Sequence, residues 1–457
     1  MSSGSALHRN GLRLLAVALL AAGSGLVQRP AEAADPFLRR TPTVRAVEQV
    51  GPAVVNITTE QVVRGGNPFR GFGGNPTFER FFRDFFVPRA PRTTQSLGSG
   101  VVIDRMRHVL TNEHVITRAD RIFVTLADGR FFEANLVGAD PNNDLAVLRV
   151  ETDEEVPWIA PGDSDDLMVG EPVIAIGNPF GLSNTVTTGV ISAQNRSIRA
   201  QDRVYHGFLQ TDASINPGNS GGPLLNAAGE LIGINTAIYG GAEGIGFAIP
   251  IDAAERVVRE LIRKGEIAPV WLGLDLQDLD EQISEVLEVP ERLTGALVSR
   301  VRPGTPAAEA EIARGDVVTS VDGSGVANAR GFYEILERST TGQVLALGVW
   351  REGSVREVKV RSEEISDEAV TELGEQMLGM HLRLVPGGGF AVREVRRQSG
   401  AARIGIEAGD RLLGINGKAL DGEEALRRAV LDLRGRARAL IVVQRGRGRY
   451  HVTVPLG

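Results

Sequence analysis

Between Val54 and Pro250 the apolar positions fall into short runs separated by turn residues. The runs are Val54 to Thr58, Gly100 to Ile103, Ile122 to Leu126, Leu145 to Val150, Pro172 to Ile176, Val186 to Ile191, Leu231 to Ile234 and Ile245 to Ile249. Short strands at such spacing, with turn signals such as Asp128-Gly129, predict an all-β barrel or sandwich. After Pro250 the period becomes helical. Asp252 and Glu255 have the spacing of a capping box, Val257, Val258, Leu261 and Ile262 share one face, and Gly265 supplies a stop, so a helix closes the first domain.

Two later segments repeat one pattern. Trp271-Leu272-Gly273-Leu274, Gly295 to Val301 and Ala313-Arg314-Gly315-Asp316 are matched by Met377-Leu378-Gly379-Met380, Gly389 to Val395 and Glu407-Ala408-Gly409-Asp410. A repeat of one small-domain length predicts two copies of one module, joined by the acidic segment Ser362 to Thr371. Gly65 to Ser96 reads as a long surface loop. Its aromatic cluster Phe78 to Phe86 has two readings, self-packing or subunit contact on one hand and a flap over a cleft on the other.

Length and composition widen this to about three soluble domains, from 457 residues of which 42% are hydrophobic. Arg9 and Arg13, the apolar run Leu12 to Leu20 and Ala31-Glu32-Ala33 predict a secretory signal peptide over residues 1–33, an uncleaved anchor being the other reading. Its removal takes the formal charge from −7 to about −9. No basic block argues for nucleic acid, and Arg434 to Arg438 reads as solvated surface. With no cysteine, disulfides, thiolate catalysis and Cys-ligated metals are excluded. The sequence offers no metal-ligand cluster, no phosphate loop and, after the signal, no transmembrane segment; no cofactor is expected.

Chemistry enters at Asn216-Pro217-Gly218-Asn219-Ser220-Gly221-Gly222-Pro223, where glycines turn the backbone about one hydroxyl. A polar turn has the same composition, so partners decide. Serine needs a base for its proton and an acid to orient that base. His114, in Thr111-Asn112-Glu113-His114-Val115, sits where a strand meets a turn; His108, His206, His381 and His451 read as surface or packing residues. Asp144, in Asn142-Asn143-Asp144-Leu145, lies in a polar turn ahead of an apolar strand, where it can hold an imidazolium or cap the turn.

These segments, with Ala175-Ile176-Gly177-Asn178-Pro179-Phe180-Gly181 and Thr211 to Gly222, resemble the marker segments of the HtrA (Do-like) family of secreted serine proteases, in its DegP/DegQ type with two PDZ modules. The resemblance implies a mainly β fold: a chymotrypsin-like double β-barrel over 42–264, then PDZ-like α+β domains over 267–362 and 371–457. It implies Ser220 as nucleophile, His114 as base and Asp144 as orienting acid, with Gly218, Asn219 and Ser220 giving oxyanion donors. Ile215 and Asn235, Thr236, Ala237 and Ile238 would line a pocket for small or medium aliphatic residues. Trp271, Leu272, Gly273 and Leu274, and in the second copy Met377, Leu378, Gly379 and Met380, would offer N–H groups to a peptide C-terminus, unless the second copy only docks on neighbours. Arg196 would take part in regulation. The family further implies a periplasmic protein acting on unfolded polypeptides as a homotrimer or an assembly of trimers; the other reading is a chaperone or non-catalytic scaffold.

Overall fold

The computed structural model describes residues 39–62, 93–179, 181, 184–200, 203–237, 244–290 and 292–457. The signal segment, the Phe78 to Phe86 cluster and Ile238 lie outside them. Two closed six-stranded barrels come first. The first comprises β1 (Val54–Val62), β2 (Thr93–Val102), β3 (His108–Thr111), β4 (Arg121–Thr125), β5 (Phe131–Asp140) and β6 (Leu145–Val150), in the order β1-β2-β3-β6-β5-β4. The second comprises β7 (Pro172–Gly177), β8 (Thr185–Ala200), β9 (Arg203–Thr211), β10 (Pro223–Asn226), β11 (Leu231–Thr236) and β12 (Gly246–Pro250), in the order β10-β11-β12-β9-β8-β7.

Closure leaves each barrel without edges and gives it an apolar interior, filled by Ile57, Val109, Val124 and Leu148 in the first and by Ala175, Ile191, Leu224 and Ile232 in the second. A third cluster, with Leu110, Val147, Ile176 and Leu225, spans the two barrels and takes in the helix Ile251–Lys264, whose apolar face buries Ala254, Val257, Val258 and Leu261. Gly265 ends that helix in the left-handed conformation, as its position implies. The expected capping box does not form. The N-cap is Pro250, and Asp252 Oδ2 instead accepts from Ser164 N and Ser164 Oγ, while Glu255 pairs with Arg259.

The two modules that follow share a topology. Strands Leu274–Asp278, Ala296–Val301, Val317–Val321, Val344–Arg351 and Ser354–Arg361 form the first sheet, and Met380–Leu384, Phe390–Val395, Arg411–Ile415, Arg438–Arg445 and Gly448–Pro455 the second, hydrogen-bonded in that order. Each sheet is covered by one helix, Ala329–Leu336 or Glu423–Asp432. The segment expected to be a linker is structured: Glu363–Glu364 pairs with Val270–Trp271, and Ser366 caps a helix Asp367–Leu378. Lys264 also reaches Glu364, at 2.5 Å.

Candidate active site

The site lies where the barrels meet. At the end of β3, Asn112 starts a one-turn helix, Glu113–Ile116, which plants Val115 and Ile116 in the first core and leaves His114 facing the second barrel. Asp144 comes from the turn between β5 and β6 with φ +54°, a left-handed backbone that short polar side chains tolerate. Its carboxylate is buried: Oδ1 is 2.8 Å and Oδ2 2.9 Å from His114 Nδ1, Oδ1 accepts from His114 N at 3.1 Å, and Oδ2 accepts from Thr236 Oγ1 at 3.0 Å. His114 Nε2 lies 2.9 Å from Ser220 Oγ. Ser220, His114 and Asp144 therefore form an unbroken hydrogen-bonded chain, with Nδ1 and Nε2 each in a defined role.

Burial presses the His114 pKa down, but the Asp144 charge and hydrogen bond outweigh it, with Glu113 adding to them, so the imidazole stands above its ordinary value of 6.5. The arrangement therefore favours an imidazolium beside the carboxylate, the species formed when a serine proton is taken up.

The loop that carries Ser220 is pressed against its surroundings. Ser99 N donates to Ser220 O at 2.9 Å, and Ser99 Oγ donates to Gly218 O at 2.6 Å. A Cβ at Gly221 would collide with Ser99 O and Thr111 Oγ1, and one at Gly222 with Ile176 O. These two glycines are thus required by close packing of the loop on both barrels, a reason the sequence does not disclose.

Of the three expected oxyanion donors, Asn219 N is spent within the turn on Asn216 O at 3.1 Å, whereas the N–H groups of Gly218 and Ser220 meet no acceptor among the described residues. Ile215 is half-buried against the second core, and its side chain occupies the space where Gly246 lacks a Cβ. Asn235 and Thr236, two of the expected pocket residues, lie at the end of β11. Both are buried: Asn235 Nδ2 donates to Pro223 O at 2.9 Å and Asn235 O accepts from Gly221 N at 2.8 Å, while Thr236 supports Asp144. Ala237 N donates to Ser220 Oγ at 3.2 Å. Asn112, which the sequence reading passed over, accepts from Ser220 Oγ at 2.8 Å and donates through Nδ2 to Asp144 O at 3.0 Å. Its place two residues before the histidine was the available signal.

The remaining residues are dispersed. Arg196 lies in the long strand β8, exposed, with Nε donating to Gln210 Oε1 at 3.1 Å. His108 is buried and paired with Asp104 at 2.6 Å, as a packing histidine should be. In the first module Trp271 is half-buried against the core of the second, while Leu272 O and Gly273 O accept from Ala307 N and Arg302 N, both at 2.9 Å. The N–H groups of Leu272 and Gly273 meet no acceptor among the described residues. The second quartet differs. Met377 and Leu378 complete the helix Asp367–Leu378 and Gly379 N closes it onto Glu375 O, so their amides are spent within a helix end rather than open in a loop. Met380 begins the edge strand and is buried.

A family model described as a trypsin-like peptidase domain matches residues 98–234, and one described as a PDZ domain matches 270–361. The chain is 38% identical to a probable periplasmic serine endoprotease DegP-like of Halomonas elongata, over 92% of both chains. It is 34% identical to the protein of that name in Brucella suis, over 98% of both. Among solved structures, a serine-to-alanine variant of the HtrA-type protease AlgW with decapeptide superposes with a TM-score of 0.50 at 37% identity, covering 71% of this chain and 98% of that one. Among the described residues, no helix is long and apolar enough to cross a membrane.

Proposed function

The chain belongs to the HtrA-type, DegP-like family of serine endoproteases, and from that premise we propose that it hydrolyses peptide bonds of unfolded or damaged envelope proteins through Ser220, His114 and Asp144. The observation that carries this reading is the continuous chain Ser220 Oγ, His114 Nε2, His114 Nδ1, Asp144. Ser220 Oγ attacks the scissile carbonyl while His114 accepts its proton and then returns it to the departing amine. Asp144 holds the Nδ1–H tautomer and stabilises the imidazolium, and the open N–H groups of Gly218 and Ser220 receive the oxyanion. Ile215 narrows the adjoining space toward small or medium aliphatic side chains.

The PDZ-type modules fit capture of peptide C-termini. The protein is read as exported to the periplasm by residues 1–33 and assembled as a homotrimer or a higher assembly of trimers, with Arg196 in the response to bound peptide. A fluorophosphonate probe tests the reaction: labelling of the parent and none of Ser220→Ala is expected, together with casein digestion by the parent alone. Equal casein turnover by both would leave the barrel as a scaffold.

A further inference from the structure

Arg434, which the sequence places on a solvated basic surface, is buried at the joint between the two modules. Its Nε donates to Leu431 O at 3.2 Å and its Nη1 crosses to Val270 O at 3.3 Å, while the guanidinium lies 5.0 Å from the Tyr333 ring centroid. No carboxylate among the described residues lies within ion-pair distance of it. The carboxylates that act on it from further off, Glu337 and Asp432, pair instead with Arg330 and Lys418, so the buried guanidinium gains from an anion bound at contact distance.

The surroundings describe such a ligand. Arg434, Leu272, Leu274, Phe332, Tyr333 and Leu373 enclose a small pocket, which Asp275, itself paired with Arg302, also lines. Leu272, one of the two residues whose N–H groups meet no acceptor among the described residues, lines it, and Arg434 also lines a cleft of about 380 Å³ running along Leu274–Asp278. That strand pairs on one side only, with Ala296–Val301. The opposite wall of the cleft belongs to the second module, through Leu373, Gln376, Met377 and Ala437. The joint is built rather than loose: Gly435 packs on the backbone of Arg330, and Arg302 pairs with Glu372 at 3.1 Å and donates to Gln376 Oε1 at 3.0 Å.

We propose that the second module completes the peptide groove of the first, and that Arg434 is the counter-ion for the terminal carboxylate of a hydrophobic peptide lying along Leu274–Asp278. This rests on the reading that the first module captures peptide C-termini. A fluorescent peptide ending in a hydrophobic residue, as free acid and as C-terminal amide, is titrated into full-length Ser220→Ala protein and into the same protein carrying Arg434→Gln, which keeps side-chain donors at that position.

The free acid should bind the parent more tightly than the amide, and Arg434→Gln should weaken the acid by about 10–100-fold while leaving the amide unchanged. No preference for the acid in the parent would sink the underlying reading of C-terminal capture. A preference that survives Arg434→Gln, or acid binding that becomes tighter, would overturn the role of Arg434, the latter making the second module a lid. Independently of that variant's folding, a photoreactive group near the peptide C-terminus should cross-link to Leu373 or Ala437 as well as to the Leu272–Asp278 segment. Cross-links confined to the first module would refute the shared groove.

Discussion

Ser220 Oγ lies 2.8 Å from Asn112 Oδ1 and 2.9 Å from His114 Nε2, so one hydroxyl proton faces two acceptors. Asn112 also donates to the Asp144 carbonyl, and thus bridges Ser220 and the turn that carries Asp144. Asn112→Asp removes that donor, sets a carboxylate against a buried carbonyl and strengthens the competing acceptor. We expect kcat/KM on a peptide substrate to fall at least about tenfold, with the acid limb of the pH profile moved upward.

The pH dependence follows from His114. Its pKa is raised above 6.5 because the charge and hydrogen bond of Asp144 outweigh the lowering by burial. The base must be neutral to accept a proton, so kcat/KM should rise with pH through an apparent pKa above 6.5. Stability runs the opposite way: the contribution of the protonated pair is fully present below the ordinary value and is lost as pH rises through the raised one. Asp144→Asn should lower that pKa and reduce kcat by about 10⁴-fold. An unchanged acid limb in this variant would remove Asp144 from its orienting role.

Gly221→Ala probes the seam between the barrels. The added methyl meets Ser99 O and Thr111 Oγ1, at a residue whose φ is +84°. Either the strand β2 or the loop must move, and with it the bond from Ser99 N to Ser220 O. The expected cost is about 2–4 kcal/mol in denaturant unfolding, with loss of fluorophosphonate labelling. Retained labelling with native stability would show that the loop accommodates the methyl.

Where the sequence was legible, one physical demand dominated. Leu145–Val150 was bounded correctly because its run of apolar residues is buried almost throughout. The three side chains that the structure joins in one hydrogen-bonded chain were legible because acyl transfer admits few residue types. Strand β5 escaped notice because its outward positions include exposed Phe131 and Leu136, which blur the alternation, and β9 because Gly207 interrupts it. The bond from the Thr236 hydroxyl to Asp144, by contrast, is a tertiary pairing with no local signature. Arg434 was misread for a related reason: one buried arginine within an arginine-rich run looks like its solvated neighbours. In the second quartet, Met377 and Leu378 belong to a helix capped by Ser366, whose propensity the Leu-Gly pattern concealed.

Thr236→Val separates support of the acid from substrate contact. Thr236 Oγ1 is 3.0 Å from Asp144 Oδ2, and both side chains are buried. Valine keeps the volume and deletes the donor, which leaves a carboxylate lone pair unmet. We expect kcat to fall by about 10-fold with KM little changed and cleavage-site preference intact. A shift in preference at the residue before the cut bond would instead make Thr236 a pocket residue.

The repeat supplies a paired test of stability. Asp316 bonds to Arg351 at 2.5 Å and accepts from Ala313 N at 2.8 Å; Asp410 bonds to Arg445 at 2.6 Å and accepts from Glu407 N at 3.0 Å. In both copies the arginine also reaches a carbonyl, Glu311 O or Gly405 O, and so ties the loop before the third strand to the fourth strand. The hydrogen bond from Arg445 holds Asp410 below the ordinary carboxylate range against the opposing effect of burial, with Glu407 N–H assisting. A depressed folded-state pKa means that this stabilisation is present above the unfolded value of 3.8 and is lost as pH falls through the lowered one. Asp410→Asn should therefore lower the unfolding midpoint of the second module at pH 7 by about 5–15 °C, and by progressively less as the pH approaches the acid range. Because Arg445 is half-exposed, the loss should stay below that of a fully buried pair. Calorimetry of the full chain resolves the outcome: a pH-independent difference between parent and variant would mean that the Asp410 charge contributes nothing and that its hydrogen-bonding shape alone matters.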